Sequence, residues 1–240
     1  MSVTTPPPLF TGKHITLRTV TPADISLYYR WLQNPIFLPY KPYLKHICPT
    51  PAHLLAYLNL QAQIEPRSEF EALVIHQKTQ AAIGMIGLAG IDRFNKKAEF
   101  SAGFVHGHGT HALWEAIHAG IALSFATFNL HKLIFYTTAT NHHALKIMQR
   151  HGFTQEGYFK EEVLVNDNER IDLYRFALMH KDWSQSSLCK RLNRIAPLKP
   201  AIASIENTLL SEEALKKDWN KTEEDNAWTH LQINTPHPLP

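Results

Sequence analysis

Six consecutive residues, His106-Gly107-His108-Gly109-Thr110-His111, place three imidazoles, two glycines and a hydroxyl just ahead of a long apolar-striped helix. Glycines in that position let backbone N–H groups approach an anion, and a helix N-terminus favours negative charge. Closely spaced histidines can also ligate zinc. No cysteine or carboxylate stands near them in the sequence, and the flexible glycines suit a phosphate loop better, so no metal is expected. Asn141-His142-His143 opens the next short helix, with Asn141 where a cap residue would sit. Neutral imidazoles lining an anion site are the plainest account of both groups.

The elements around these residues are legible from periodicity. His14 to Arg18 alternates by two and reads as a strand. Thr21-Pro22-Ala23-Asp24 opens a helix whose Ile25, Tyr28, Tyr29 and Leu32 share one face. Residues 37–49 are rich in proline and aromatics and form a shaped loop. Thr50-Pro51 starts a second helix. Strands follow over 70–76, 82–88 and 97–105. Trp114, Ile117, Ile121, Phe125 and Phe128 then mark the buried stripe of a long helix. His131 to Thr138 is a β-branched and aromatic strand. After the short helix, Glu162 to Asn166 and Asp172 to Met179 read as a closing hairpin around Asp167-Asn168. This order predicts one mixed α/β sheet.

The chain has 240 residues, 44% hydrophobic, and a net charge of +3 with neutral histidines. That supports a sizeable core and argues against nucleic acid as a partner. Two cysteines, Cys48 and Cys189, far apart, fit a reducing compartment. No apolar run approaches a membrane span and no signal peptide opens the chain, so a cytoplasmic location is expected and no membrane partner. Composition shifts after Trp183. Lys190, Arg191, Arg194 and Lys199 form a basic stretch, and beyond Pro200 seven Asp and Glu stand against three Lys. Ile205, Leu209, Leu215 and Trp219 could form short amphipathic helices there. The expected divisions are an arm over 1–12, a domain over 13–183, and a partly helical or disordered extension over 184–240.

Residues from about 13 to 183 resemble the GNAT superfamily of N-acetyltransferases. The similarity is to the branch that contains the ribosomal-protein N-terminal acetyltransferases. It rests on Ile83-Gly84-Met85-Ile86-Gly87-Leu88 with Ala98-Glu99-Phe100, on Asn141-His142-His143-Ala144 with His151-Gly152-Phe153, and on Gln155-Glu156-Gly157 with Asp172 to Leu178. The resemblance implies a single α/β domain. Its mostly antiparallel sheet would have about seven strands with about four helices, splayed between the fourth strand (97–105) and the fifth (from His131). It also implies acetyl-CoA as co-substrate and a primary amine as acceptor, either a protein N-terminus or a small amine.

The family's pyrophosphate loop implies a role for His106, Gly107, His108, Gly109, Thr110 and His111. Gly107-His108-Gly109 looks like the family's glycine triplet. Counting from Glu115-Ala116 and from Ala98-Glu99 instead makes Gly109-Thr110-His111 the equivalent, with His111 a departure and His106 at the basic position. Asn141 would bond the cofactor arm, cap the helix, or both. Glu99 is the implied general base, directly or through water. The leaving thiolate needs a proton, and the positions that supply it in relatives hold Met148, Gln149 and Ala144 here. Tyr158, or else Tyr136 or water, is left for that role. The expected acceptor wall is Phe37 to Tyr43 and the hairpin after Gly157, with or without the C-terminal tail. These departures keep a second reading open: a degenerate GNAT-fold module that binds a partner, or CoA without turnover. The acceptor, acyl length and oligomeric state are not written in the residues.

Overall fold

Two strands that diverge after three paired residues set the geometry of the whole molecule. The computed structural model describes residues 7–37, 41, 43–106, 110–166 and 168–195. Gly107, His108 and Gly109 lie outside the described residues, as do Ile205, Leu209, Leu215 and Trp219. The strands are β1 (Phe10–Thr11), β2 (Ile15–Thr19), β3 (Phe70–His76), β4 (Ala82–Asp92), β5 (Lys97–Phe104), β6 (Lys132–Thr138), β7 (Thr154–Asn166) and β8 (Glu169–Met179). They form one sheet in the order β1-β2-β3-β4-β5-β6-β8-β7. All neighbours are antiparallel except β5 and β6.

The parallel pair is short. Lys97, Ala98 and Glu99 face Lys132, Leu133 and Ile134, and pairing stops there. Beyond it β5 stays paired with β4 through Phe104, and β6 stays paired with β8 through Thr138. Each strand follows its outer partner, so a wedge opens between them. This is the splay expected between the fourth and fifth strands. Eight strands replace the seven expected, because Phe10–Thr11 adds an edge strand.

Seven α-helices lie among the described residues: α1 (Ile25–Leu32), α2 (Leu44–Ile47), α3 (Pro51–Gln63), α4 (His111–Thr127), α5 (His142–Arg150), α6 (His180–Gln185) and α7 (Ser187–Ile195). Four correspond to the expected ones. Short α2 lies inside the proline-rich loop, and α6 and α7 follow the last strand. Strand alternation sends the two sheet faces to two cores. Ala72, Val74, Ile86, Leu88, Phe100, Leu133 and Phe135 pack on α4. Leu73 and Met85, on the other face, pack with Tyr28, Trp31 and Leu32 of α1 and Leu54 of α3.

Helix α4 lies close on the sheet because it is rich in small residues. A Cβ added at Gly120 would stand 2.8 Å from Ile86 Cγ2 and 3.1 Å from Phe100 Cε2. Its Glu115 is fully buried, yet it accepts three backbone N–H groups, from Lys13 at 2.9 Å, His14 at 2.6 Å and Ile15 at 2.9 Å. A buried carboxylate requires such partners. Helix and strand are thereby fixed near the N-terminal end of α4.

The core does not stop at residue 183. Leu188, Cys189 and Leu192 of α7 are buried in the cluster that holds α4 and Trp183. Phe10 belongs to the same cluster. The divisions expected at 12/13 and 183/184 therefore fall inside packed structure. Both cysteines are free and buried. No helix of the described residues is long and apolar enough to cross a membrane.

Candidate active site

Glu99 is the last residue of β5 to pair with β6, so its carboxylate stands where the wedge opens. Cross-strand register places Glu71, Gly87 and Ser101 in one row and Ala89, Glu99 and Ile134 in the next, on the face shared with α1 and α3. Glu69 immediately precedes β3 and continues that face. Burial pushes the Glu99 carboxyl above its ordinary range; the Lys41 ammonium opposes this and the Glu69 charge adds to it.

Lys41 is the cation of this acidic face, only 3% exposed. Its Nζ lies 2.8 Å from Glu69 Oε2 and 3.0 Å from Glu71 Oε1. Burial alone would lower its pKa, but the attraction of Glu71 and Glu69 outweighs that and holds the ammonium above its usual value. Tyr28 donates to Glu71 Oε1 at 2.8 Å, and Tyr57 donates to Glu69 Oε1 at 3.1 Å. Tyr43 is hydrogen-bonded in turn to Tyr57. Among the described residues, three carboxylates thus surround one ammonium beside the wedge. Sequence reading overlooked this network. The available signal was Glu69 and Glu71 at period two entering a strand, with Glu99 two strands away.

The wedge fits an extended, amide-bearing arm. Past Glu99 the β6 side of β5 has no partner strand. Ser101 Oγ on β5 and Thr137 Oγ1 on β6 are both buried without a hydrogen-bond partner. Buried polar atoms left so are uncommon and mark places where a ligand or water supplies the missing bond.

Asn141 caps α5, and its side-chain oxygen accepts the Ala144 N–H at 3.1 Å. Thr110 is the N-cap residue of α4 and His111 its first residue. The His111 ring is exposed, 5.6 Å from the ring of His14. His106 is exposed at the end of β5, its N–H directed at Ile83 O at 3.4 Å. Thr110, His111 and Asn141 therefore stand at the starts of the two helices that flank the wedge.

Tyr158 is not brought to Glu99. Its strand, β7, is separated from β5 by β6 and β8, about 14 Å at ordinary strand spacing. It also lies in register with Tyr174 and Thr137, which puts it on the opposite sheet face. Its hydroxyl donates to Asp172, and that bond raises the pKa of the phenol. The alternative, Tyr136, lies on β6 two residues beyond Ile134, on Glu99's face, and is 39% exposed. Met148 packs against the main core. In the expected acceptor wall, Phe37 is buried in the second core, whereas Lys41 and Tyr43 join the polar network.

Residues 14–154 match the acetyltransferase (GNAT) domain family. The chain belongs to that family. Its members use acetyl-CoA as acetyl donor, which the wedge and the flanking helix starts suit. A curated relative is the spermidine N(1)-acetyltransferase of Vibrio cholerae, 28% identical over 94 residues. That match covers 39% of this chain, and the chain spans about half, 54%, of the relative's length. Among solved structures, the V. cholerae spermidine N-acetyltransferase in complex with CoA and spermine shares the fold with a TM-score of 0.61 at 22% identity. The likeness covers 70% of this chain and 97% of that one. A dodecameric form of the V. cholerae enzyme is similar, with a TM-score of 0.60 at 21% identity over 75% and 98% of the two chains. These relatives are spermidine acetyltransferases rather than ribosomal-protein N-terminal acetyltransferases.

Proposed function

We propose that this protein is an acetyl-CoA-dependent N-acetyltransferase whose acceptor is a small, multiply charged primary amine. The observation that carries the reading is the acidic face at the mouth of the wedge. Glu69, Glu71 and Glu99 gather there around the Lys41 ammonium. A face that carries three carboxylates attracts a cation, and an amine with more than one ammonium interacts with more of it than the single amino group of a peptide. The likeness to spermidine acetyltransferases supports the same acceptor class.

Each residue then has a task. Glu99, held above the ordinary carboxylate range, takes the proton of the incoming ammonium directly or through one water. Backbone N–H groups of β5 beyond Glu99 are donors for the carbonyl oxygen of the acetyl group as charge develops on it. Tyr136 is the phenol on the same face and donates the proton that the departing thiolate needs. Asn141 and the start of α4 hold the donor. A wedge that retains a carboxylate, backbone donors and a phenol on one face favours turnover over a module that only binds.

The test is acetyl transfer followed by thiol release, with spermidine, a monoamine of similar length and a panel of peptides with free N-termini. Spermidine should show the highest kcat/KM, at least tenfold above the monoamine, as one extra well-placed charge interaction would give. Transfer to peptides alone would return the acceptor to the protein N-terminus. Binding of acetyl-CoA without transfer to any amine would leave the binding module standing.

A further inference from the structure

Helices α4, α5 and α7 line a cleft of about 240 Å³. Trp114, Ile147, Leu188 and Leu192 give it an apolar floor, and Lys146, Arg150 and Arg191 stand around that floor. No carboxylate lines the cleft, and none of these three cations has an ion-pair partner among the described residues. An occupant that fits must bring apolar groups flanked by negative charge. The volume is below the roughly 300–1,000 Å³ of sites that enclose a whole small ligand, so the cleft is sized for a few side chains.

The chain itself carries such an occupant. Beyond Pro200 seven Asp and Glu stand against three Lys. Within that stretch Glu212, Leu215, Trp219 and Glu223 recur at helical spacing, an apolar pair between two carboxylates. At the same spacing Lys216 falls at the edge of this face, and Lys217 and Lys221 fall opposite it. Residues 196–240 lie outside the described residues, but where they start is known. Helix α7 ends at Ile195, one turn past Leu192, which lines the cleft. Residues 196–211 can span roughly 50 Å when extended, whereas α5 and α7 are each only about 13 Å long. Every cation around the cleft is therefore within reach. A segment so tethered has a millimolar effective concentration, so weak intrinsic affinity is enough to fill the cleft.

We propose that residues 212–223 dock in this cleft of their own chain, with Leu215 and Trp219 on the floor and Glu212 and Glu223 against Lys146, Arg150 and Arg191. Docking also has a consequence for the reaction. Trp114 lies one turn into α4, and His143, which also lines the cleft, is the second residue of α5. A docked acidic segment thus stands beside the two helix starts that hold the donor, and its carboxylates oppose the donor's phosphates there. The tail is then autoinhibitory, and this second half rests on the acetyl-CoA reading above; the docking itself does not.

Amide hydrogen exchange on the full-length protein without ligand tests the docking. A segment docked nine-tenths of the time exchanges about tenfold more slowly, and amides over 212–223 should show this. Lys146 and Arg191 are exposed, so Lys146→Glu with Arg191→Glu keeps the fold, and the slowing should vanish in that variant. Adding Glu212→Lys and Glu223→Lys to it should restore the slowing, which a merely misfolded cleft would not allow. Fast exchange over 212–223 in wild type, or slow exchange indifferent to the cleft charges, overturns the proposal. Slowing that disappears on dilution would seat the tail on a second copy and overturns docking within one chain. Calorimetry with CoA tests the autoinhibition. Leu215→Asp with Trp219→Asp leaves the cleft intact and should bind CoA about two- to tenfold more tightly, the gain from a site that the tail leaves free a half to a tenth of the time. Equal CoA affinity with the tail docked overturns the autoinhibition. Absence of CoA binding in both proteins would be a failure of the donor reading, and the exchange result would still decide the docking.

Discussion

Lys41 Nζ lies 3.0 Å from Glu71 Oε1, and the two side chains are only 3% and 8% exposed. Such a pair adds little net stability when intact, but breaking it strands charge away from water. Lys41→Met should therefore cost about 3–5 kcal/mol at pH 7, read from urea unfolding. Glu99 would lose the cation that lowers its pKa and would rise further. Protonation of Glu99, whose pKa is raised, relieves the repulsion on this face, so the deficit should shrink at pH 5. A deficit that does not change with pH would mean that Lys41 acts by packing alone.

Glu99 couples stability to activity with opposite signs. Its folded pKa is raised, so between its unfolded and folded values the native state binds the extra proton. Stability from this group is full below the unfolded pKa and falls as pH rises through the folded one. Catalysis gains over the same window, because only the ionised carboxylate is a base. Glu99→Gln should raise Tm at neutral pH while lowering kcat by roughly 10²–10⁴. The rise of kcat/KM with pH through the folded pKa should flatten in the variant. A wild-type pH profile retained by Glu99→Gln would remove Glu99 as the base.

The two tyrosines separate by face and distance. Tyr136→Phe should lower kcat at least tenfold, the low end for loss of a general acid being about 10² and water replacing part of it. Tyr158→Phe should leave kcat within about twofold, because its phenol is tied to Asp172 on the other sheet face. Both follow from thiol-release kinetics. The reverse ranking would require the β7–β8 hairpin to move on binding.

Much of this architecture is legible in the chain. The strands at 70–76 and 97–105, and the helix caps at Thr50 and Asn141, are local signals, read from alternation and side-chain chemistry. Glu99 was placed at the wedge because one sequence register fixes one strand. The Lys41 network was not legible, since Lys41 in its proline-rich loop reaches carboxylates 28 residues away and more. The position of Tyr158 was not legible for a related reason: which face a strand residue takes depends on the register of the whole hairpin, including its bulge between Gln155 and Gly157. Glu115 shows the same limit. Its pairing with Ile15 spans 100 residues, and nothing local announces that a helix carboxylate will hold a strand's N–H groups.

Asn141 carries a cap that can be kept while its amide is removed. Aspartate caps helices as well as asparagine does. Asn141→Asp should leave Tm within about 2 °C of wild type, since surface changes with the cap intact fall within ±0.5 kcal/mol. It should weaken acetyl-CoA at least tenfold, because the donor NH₂ is lost and a negative charge faces the arm. Asn141→Ala should add about 1 kcal/mol of destabilisation. Unchanged affinity in the Asp variant would reduce Asn141 to a cap.

Helix α7 decides where the folded unit ends. Leu188 and Leu192 are 3% and 1% exposed and pack with α4 and Trp183. Burial of each contributes about 2 kcal/mol, and removal of both also uncovers their partners on α4. A chain ended after Trp183 should therefore melt well below the full-length protein, by about 10 °C or more for a 4 kcal/mol loss in a domain of this size. Leu192→Ala alone should cost about 2–4 kcal/mol, through the cavity it leaves. A shortened chain with wild-type melting would instead place the boundary at 183, with α7 an accessory laid on a finished core.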